Sequence, residues 1–208
     1  AITAVILLVF RDTILGFVTG IHVSTSKNLK IGDWIGIPKY NIEGNIQDIN
    51  LLTTKIVNFD KTISTIPTYD LLSTEIRNHQ VMYEGSSRRI KRSIYFNIKS
   101  FKFVDDEFYE KVKDINLISE YLDRKLREIA ESKKNIPHAE RIINGQQLTN
   151  IGLFRNYVLN YLKNNPKVDQ DEIVLVRQLE ISPQGMPLEI YCFANKAELV
   201  DYERIQAD

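Results

Sequence analysis

The stretch AITAVILLVFRDTILGFVTG, residues 1–20, decides the fold because its apolar run is broken by two adjacent charges, Arg11 and Asp12. Residues 1–10 would rise about 15 Å as a helix, about half the thickness of the hydrocarbon core of a bilayer. The run is too short for a complete membrane span, and we expect it to be the end of one. The numbered sequence begins in the middle of the run with Ala rather than Met, so we expect an upstream part that is not included.

A second apolar pattern follows the two charges. Four apolar residues at i, i+3, i+4 and i+7 form one helical stripe: Ile14, Phe17, Val18 and Ile21. Gly16 and Gly20 lie four residues apart on a different face, where small residues let helix backbones approach closely. The pattern leaves open an alternative, an amphipathic helix that packs on a soluble core with two incidental glycines.

Composition places the chain among ordinary globular sequences and excludes a strong overall charge. The 208 residues are 43% hydrophobic and 26% charged, and 27 basic residues balance 27 acidic ones. Any electrostatic function must therefore be local. The single cysteine, Cys192, excludes an intrachain disulfide framework, and its apolar surroundings predict a buried, inert thiol.

Residues 30–66 have the composition of short β-strands separated by turn signals. The runs are rich in Ile, Val, Thr and aromatic residues: IGDWIGI, GNIQDINLL, TTKIVNF and TISTIP. This tight spacing predicts a small antiparallel barrel or sandwich. We expect Pro67 to end the last strand and YDLLSTEIRN to form a short helical exit.

The remaining sequence predicts an α+β unit with its helices on one face of a sheet. A polar bridge, YEGSSRRIKR, precedes an alternating strand, SIYFNIKSF. Helical periodicity covers residues 105–134, 150–164 and 196–206, and two strands, EIVLVRQLEI and PLEIYCFA, lie before the last helix.

No pattern in the sequence supports an enzyme, and we expect neither a metal nor a cofactor. The three histidines are far apart, and the chain has no phosphate loop, dinucleotide fingerprint or serine elbow. The strongest charge feature is a basic cluster: Arg88, Arg89, Lys91 and Arg92. It is interpreted as a solvated linker with ion pairs, as a field acting on ions or anionic headgroups, or as a contact to RNA. The barrel segment lacks aromatic residues interleaved with basic ones, which disfavours RNA.

Several segments together resemble the small-conductance mechanosensitive channel (MscS) family. They are the first helix with its two glycines at positions 16 and 20, the segment KIGDWI at residues 30–35, and the IPT and IRN segments at 66–68 and 76–78. Three later segments are similar to the miniconductance branch of that family: RRIKRSI at 88–94, LTNIGLFR at 148–155 and PLEIY at 187–191.

The resemblance implies a membrane pore helix followed by a small all-β, Sm-like barrel and an α+β, ferredoxin-like domain. The expected boundaries are 1–28, 29–79 and 80–208, with a helical insertion near 104–147. Seven subunits are expected to surround a vestibule below the membrane. In this plan the first residues are the cytoplasmic half of the pore helix, and the helix that begins at Thr13 couples pore, membrane and barrel.

The resemblance also assigns roles to residues of this chain. Ala4 and Leu8 match the constriction rings of the pore, although only Leu8 is a bulky apolar residue that can block ions by dewetting. Arg11 and Asp12 match the kink at the pore mouth, and Gly16 and Gly20 provide helix packing. The basic cluster supplies vestibule electrostatics.

The predicted function is a small-conductance ion channel opened by membrane tension during osmotic stress. Its expected partners are the lipid bilayer, the permeating ions and six further copies of the chain, with no nucleic acid. The expected location is the bacterial inner membrane, with the region after residue 28 in the cytoplasm. The long charged helical segment from Asp105 to Lys134 favours an alternative, an osmotic sensor or docking platform for a cytoplasmic protein.

Overall fold

The computed structural model describes residues 2–26 and 28–208, without the side chains of residues 24–26. Ala1 and Lys27, both in the predicted pore segment 1–28, lie outside the described residues. The chain divides into two compact units, Ala1–Gly85 and Ser86–Asp208. The division into three domains with boundaries after residues 28 and 79 stays a prediction.

The first unit combines one long helix with a five-stranded antiparallel sheet. Its elements are α1 (Ile2–Ser26), β1 (Trp34–Ile37), β2 (Ile42–Ile49), β3 (Thr53–Asn58), β4 (Ile63–Pro67), α2 (Asp70–Ser73), β5 (Arg77–Asn78) and α3 (Gln80–Glu84). The sheet order is β4-β3-β2-β1-β5. The four predicted strands are confirmed, whereas closure of the sheet into an Sm-like barrel stays a prediction.

The predicted helical exit after Pro67 is wrong in its second half. Only Asp70–Ser73 is helical, and Arg77–Asn78 forms a strand whose residues pair with Gly36 and Ile35. Pairing with the free edge of β1 satisfies the backbone groups of this segment better than an isolated helical turn. The core of the unit is made of alternating inward residues of the strands together with one residue from each of two helices: Ile35, Ile37, Ile46, Ile56, Ile66, Leu71 and Val23.

Helix α1 contacts the sheet through its glycine face and not through its apolar stripe. Gly16, Thr19 and Val23, at i, i+3 and i+7, are buried. The Thr19 hydroxyl donates a hydrogen bond of 2.8 Å to the carbonyl of Leu15, which satisfies this buried polar group within the helix. The four stripe residues instead remain about half exposed: Ile14, Phe17, Val18 and Ile21. The alternative of an amphipathic helix that buries this stripe in a soluble core is therefore wrong.

The second unit is a three-stranded antiparallel sheet with helices. Its elements are β6 (Arg88–Phe96), α4 (Asp106–Val112), α5 (Asn116–Lys133), α6 (Asn150–Asn164), β7 (Leu175–Gln178), β8 (Met186–Ala194) and α7 (Leu199–Ala207), and the sheet order is β6-β8-β7. Helix α6 and the two last strands are confirmed. A ferredoxin-like arrangement stays a prediction.

Two boundaries in this unit differ from the sequence prediction. The helical pattern of residues 105–134 is split into α4 and α5, because the backbone of Ile115 is extended where it caps the second helix. The predicted polar bridge, residues 83–92, is wrong over residues 88–92. These residues belong to β6, which begins at Arg88 and pairs with the whole of β8. The predicted buried thiol is confirmed: Cys192 is 1% exposed, and burial raises its pKa to about 11, which keeps the reactive thiolate rare.

Asp70 anchors the start of α2 to the turn that follows β1. Its side chain is 1% exposed and accepts hydrogen bonds from Tyr40 Oη, from Ser73 Oγ at 3.1 Å and from Lys39 Nζ at 3.3 Å. Burial on its own raises the pKa of this carboxyl, but these three donors favour the ionised form and together lower it.

The Asp70 network predicts acid sensitivity of the first unit. The folded pKa lies below the ordinary value of 3.8, so the stabilisation is fully present above about pH 4 and is lost as pH falls through the folded pKa. We expect Asp70→Asn to lower the free energy of unfolding by about 1–3 kcal/mol at pH 7 and by less at pH 3. Trp34, the single tryptophan, reports unfolding by its fluorescence. Glu75→Gln, at an exposed ion pair, is the control; an equal loss there would contradict the assignment.

The packing of α1 predicts opposite effects at its two glycines. A Cβ on Gly16 would lie 1.6 Å from the carbonyl oxygen of Leu51, whereas a Cβ on Gly20 would meet no heavy atom within 4 Å. We expect Gly16→Ala to lower the stability of the first unit by about 1–3 kcal/mol through overpacking. Gly20→Ala should be neutral or stabilise the helix by up to about 1 kcal/mol. Thermal unfolding followed by Trp34 fluorescence measures both; equal effects would show that the close approach is not needed.

Candidate functional site

Helix α1 exposes an almost continuous apolar surface. Its apolar side chains between residues 2 and 21 are 38–78% exposed, and Ile2 and Leu8 are the most exposed at 78% and 77%. Water-soluble units rarely present so large a contiguous apolar surface. The segment Ile2–Val23 is long and apolar enough to cross a membrane by length and composition. The surface therefore fits a lipid environment or contacts with other copies of the helix.

The four residues predicted for the pore lie on one side of α1. Leu8, Arg11 and Asp12 follow Ala4 by four, seven and eight residues, which places them along one helix face. All four are exposed. The structure thus brings the predicted pore residues together in a row that passes from small and apolar side chains to charged ones.

The helix continues without interruption through Arg11 and Asp12. The second helix predicted to begin at Thr13 is therefore not a separate element. Neither residue is a proline or a glycine, so both keep their backbone hydrogen bonds while their charged ends extend away from the helix axis. A kink at these residues stays a prediction.

The two glycines of α1 have different surroundings. Gly16 lies against the loop between β2 and β3, where its backbone meets the carbonyl of Leu51. Gly20 borders a groove of about 500 Å³ that is lined mostly by apolar side chains, together with Lys30 and Asn50. At Gly16 the helix backbone therefore packs closely against a loop of the sheet and not against another helix. Leu51 and Leu52 end the predicted strand run GNIQDINLL but lie in the loop after β2, and no signal in the sequence indicates that this loop contacts the helix.

The structure divides the basic cluster between the two faces of β6. Arg88 and Arg92 share a face with buried Ile90, whereas Arg89 and Lys91 lie on the other. The Arg88 guanidinium lies 4.3 Å from the centroid of the Tyr202 ring. The four basic side chains therefore do not form one patch, because alternation along a strand separates neighbours, and their role in vestibule electrostatics stays a prediction.

Lys91 has a basic neighbour that the sequence did not reveal. Its Nζ lies 3.8 Å from Oε2 of buried Glu189, and Arg177 on β7 contacts the same carboxylate at 2.7 Å. Arg177 was missed because it lies far along the chain, and only the pairing of β7 with β8 brings it close. Among residues 2–26 and 28–208, no group of three or more His, Cys, Asp or Glu side chains is placed to hold a metal.

Comparison with known proteins agrees with this architecture. Residues 12–81 match the family model described as mechanosensitive ion channel, beta-domain. The low conductance mechanosensitive channel YnaI of Escherichia coli is 24% identical over 198 residues, which are 95% of this chain and 43% of that protein. The small-conductance mechanosensitive channel MscMJ of Methanocaldococcus jannaschii is 35% identical over 71 residues, 34% of this chain and 20% of that protein. The chain spans less than half the length of these relatives.

Solved structures share the fold at low sequence identity. The cryo-EM structure of Arabidopsis thaliana MSL1 has a TM-score of 0.61 at 17% identity and covers 99% of this chain and 56% of that one. The closed-state crystal structure of Helicobacter pylori MscS has a TM-score of 0.55 at 14% identity and covers 99% of this chain and 62% of that one.

The matches to the β-domain model, to curated channels and to solved structures agree with one another and with a membrane location. The narrower assignment to the miniconductance branch stays a prediction. Together, the β-domain match and the curated channel relatives support an MscS-family protein, a member of the small-conductance mechanosensitive channel family.

Proposed function

We propose that this chain is part of a mechanosensitive ion channel of small conductance, opened by membrane tension during osmotic stress. One observation carries the proposal: α1 is apolar and exposed over residues 2–21, yet its buried Gly16 face fixes it to a folded β-sheet unit. A helix so arranged has one end suited to lipid and the other held by a unit suited to water. The relatives named as mechanosensitive channels support this function.

The proposed channel is a homoheptamer in the bacterial inner membrane, with the region after residue 28 in the cytoplasm. Seven copies of α1 surround the pore, and the face with Ala4 and Leu8 lines it. Leu8 forms an apolar ring that excludes water and ions in the closed state. Arg11 and Asp12 lie at the water boundary, where their charges are tolerated, and form a charged mouth.

Tension opens this channel because it favours the state that occupies more membrane area. Displacement of α1 outward moves Leu8 away from the axis, and the pore becomes wet. The contact of Gly16 with the β2–β3 loop transmits movement of the helix to the sheet below it. The ions and the bilayer are thus the functional partners, and no enzymatic step is involved.

The alternative of a docking platform on α5 is less well supported. Its charged side chains form ion pairs along the helix, including Lys125 with Glu128 at 2.7 Å and Arg124 with the same carboxylate at 3.8 Å. Such pairs neutralise much of the charge to which a partner protein would bind. A docking role for this helix stays a prediction.

Patch-clamp recording of the full-length protein in bilayers under suction tests the proposed function. We expect current that appears above a threshold of suction and disappears when suction is released. Assembled protein that inserts into the bilayer and yields no tension-activated current would overturn the proposal.

Leu8 offers a sharper test of the proposed gate. We expect Leu8→Ser to open at lower tension or to leak without tension, because a hydroxyl-lined ring no longer dewets. Ile6→Ser is the matched control, since Ile6 is also exposed in the structure but lies on the opposite side of the helix from Leu8. The threshold is measured by patch clamp in the same membranes. Equal shifts in the two variants would show that Leu8 has no special place in the pore.

A further inference from the structure

The sheet of the second unit has a face, opposite its helix-packed core, that carries cations gathered around one carboxylate. Alternation places Cys192 and Val176 in the core, so their neighbours Tyr191 and Arg177 lie on the other face. In register across the strands, Lys91 is opposite Tyr191, and Arg177 is opposite Glu189. We call this set, with Arg89, the basic face: Arg89, Lys91, Arg177, Glu189 and Tyr191.

Glu189 fixes the positions of two cations. It is 3% exposed, its Oε1 accepts a hydrogen bond of 2.8 Å from Nε of Arg177, and Nη2 of the same guanidinium lies 2.7 Å from this oxygen as an ion pair. Its other oxygen lies 3.8 Å from Nζ of Lys91. The side chains of Lys91 and Arg177 are nevertheless 50% and 49% exposed. Two long side chains from the outer strands are therefore held in place at one spot that solvent can reach, which lowers the entropy cost of binding a further ligand.

The basic face has more positive than negative charge. It carries three cations and one carboxylate: Lys91 and Arg177 contact Glu189, whereas Arg89 is exposed and forms no ion pair within the described part of the chain. The Arg89 guanidinium lies 5.9 Å from the centroid of the Tyr191 ring, on the same face as Lys91. Arg177 has five N–H donors, and only Nε and Nη2 of its guanidinium contact Glu189. Donors and charge thus remain for an added anion.

We propose that the basic face binds a soluble oligophosphate anion. A chain of phosphates carries several charges in a row, so it can contact Lys91 and Arg177 at the same time and extend to Arg89. A monovalent anion would contact only one of these cations and would therefore bind more weakly. This site does not depend on the proposed channel function.

Titration calorimetry with sodium tripolyphosphate tests the site in the full chain, held in nanodiscs of phosphatidylcholine at low ionic strength. We expect Lys91→Gln and Arg177→Gln each to weaken binding about tenfold, the effect of one charge-assisted hydrogen bond. Lys91→Arg should retain binding within about threefold, since it keeps the charge. Arg92→Gln is the matched control because Arg92 is exposed on the opposite face of the same strand, and we expect a change below about twofold.

Each outcome decides for or against the basic face. Loss in the Lys91 and Arg177 variants, retention in the Arg92 variant and unchanged thermal unfolding support it. No binding by the unmodified chain, or equal loss with Arg92→Gln, overturns it. A repeat in phosphatidylglycerol nanodiscs separates soluble phosphates from lipid headgroups: unchanged affinity supports the soluble anion, and loss of affinity there assigns the face to lipid and overturns the proposal.

Discussion

The close approach of α1 to the β2–β3 loop is the constraint on which the first unit depends. A helix backbone can touch the carbonyl of Leu51 only where the helix residue has no side chain, and Gly16 provides that residue. The contact fixes which face of α1 meets the sheet. Every large apolar side chain on the other faces between residues 2 and 21 is then left exposed, and this exposure suits the helix to the lipid and helix contacts of the proposed channel.

Thr19 and Val23 extend this contact toward the end of the helix. Thr19 is buried without cost because its hydroxyl bonds within the helix, and Val23 joins the isoleucine core of the sheet. The helix thus has one face that packs on the protein core, at Gly16, Thr19 and Val23, and an exposed apolar surface that water does not favour. The proposed channel needs this combination, because membrane tension acts on the exposed part of the helix and has to be transmitted to the folded β-sheet unit.

The sequence predicted the strands of the first unit and helix α6 because their patterns are local. Alternation of Ile residues with turn signals between them specifies short antiparallel strands, and Asn150–Asn164 has both a helical stripe and a Thr149 cap. That Ala4, Leu8, Arg11 and Asp12 share one helix face follows from helical spacing alone, whereas their pore roles are implied only by the resemblance to the MscS family. These features need no information about distant parts of the chain.

What the sequence could not predict depends on tertiary contacts. The stripe at Ile14 and Phe17 has the right period for burial, but only the loop at Leu51 decides that the glycine face packs instead. The basic run at residues 88–92 resembles one patch in the sequence, yet strand alternation divides it, and Arg177 joins it from another strand. Asp70 likewise gave no signal before Tyr40 and Lys39 were placed beside it.

The most direct measurement of the central claim is a cryo-EM structure of the full-length protein in lipid nanodiscs. The account predicts copies of α1 within the bilayer around a central passage that is narrowest at Leu8, with Gly16 in contact with Leu51 in every subunit. A structure in which residues 2–10 pack inside a single molecule, or lie away from any central passage, would contradict it.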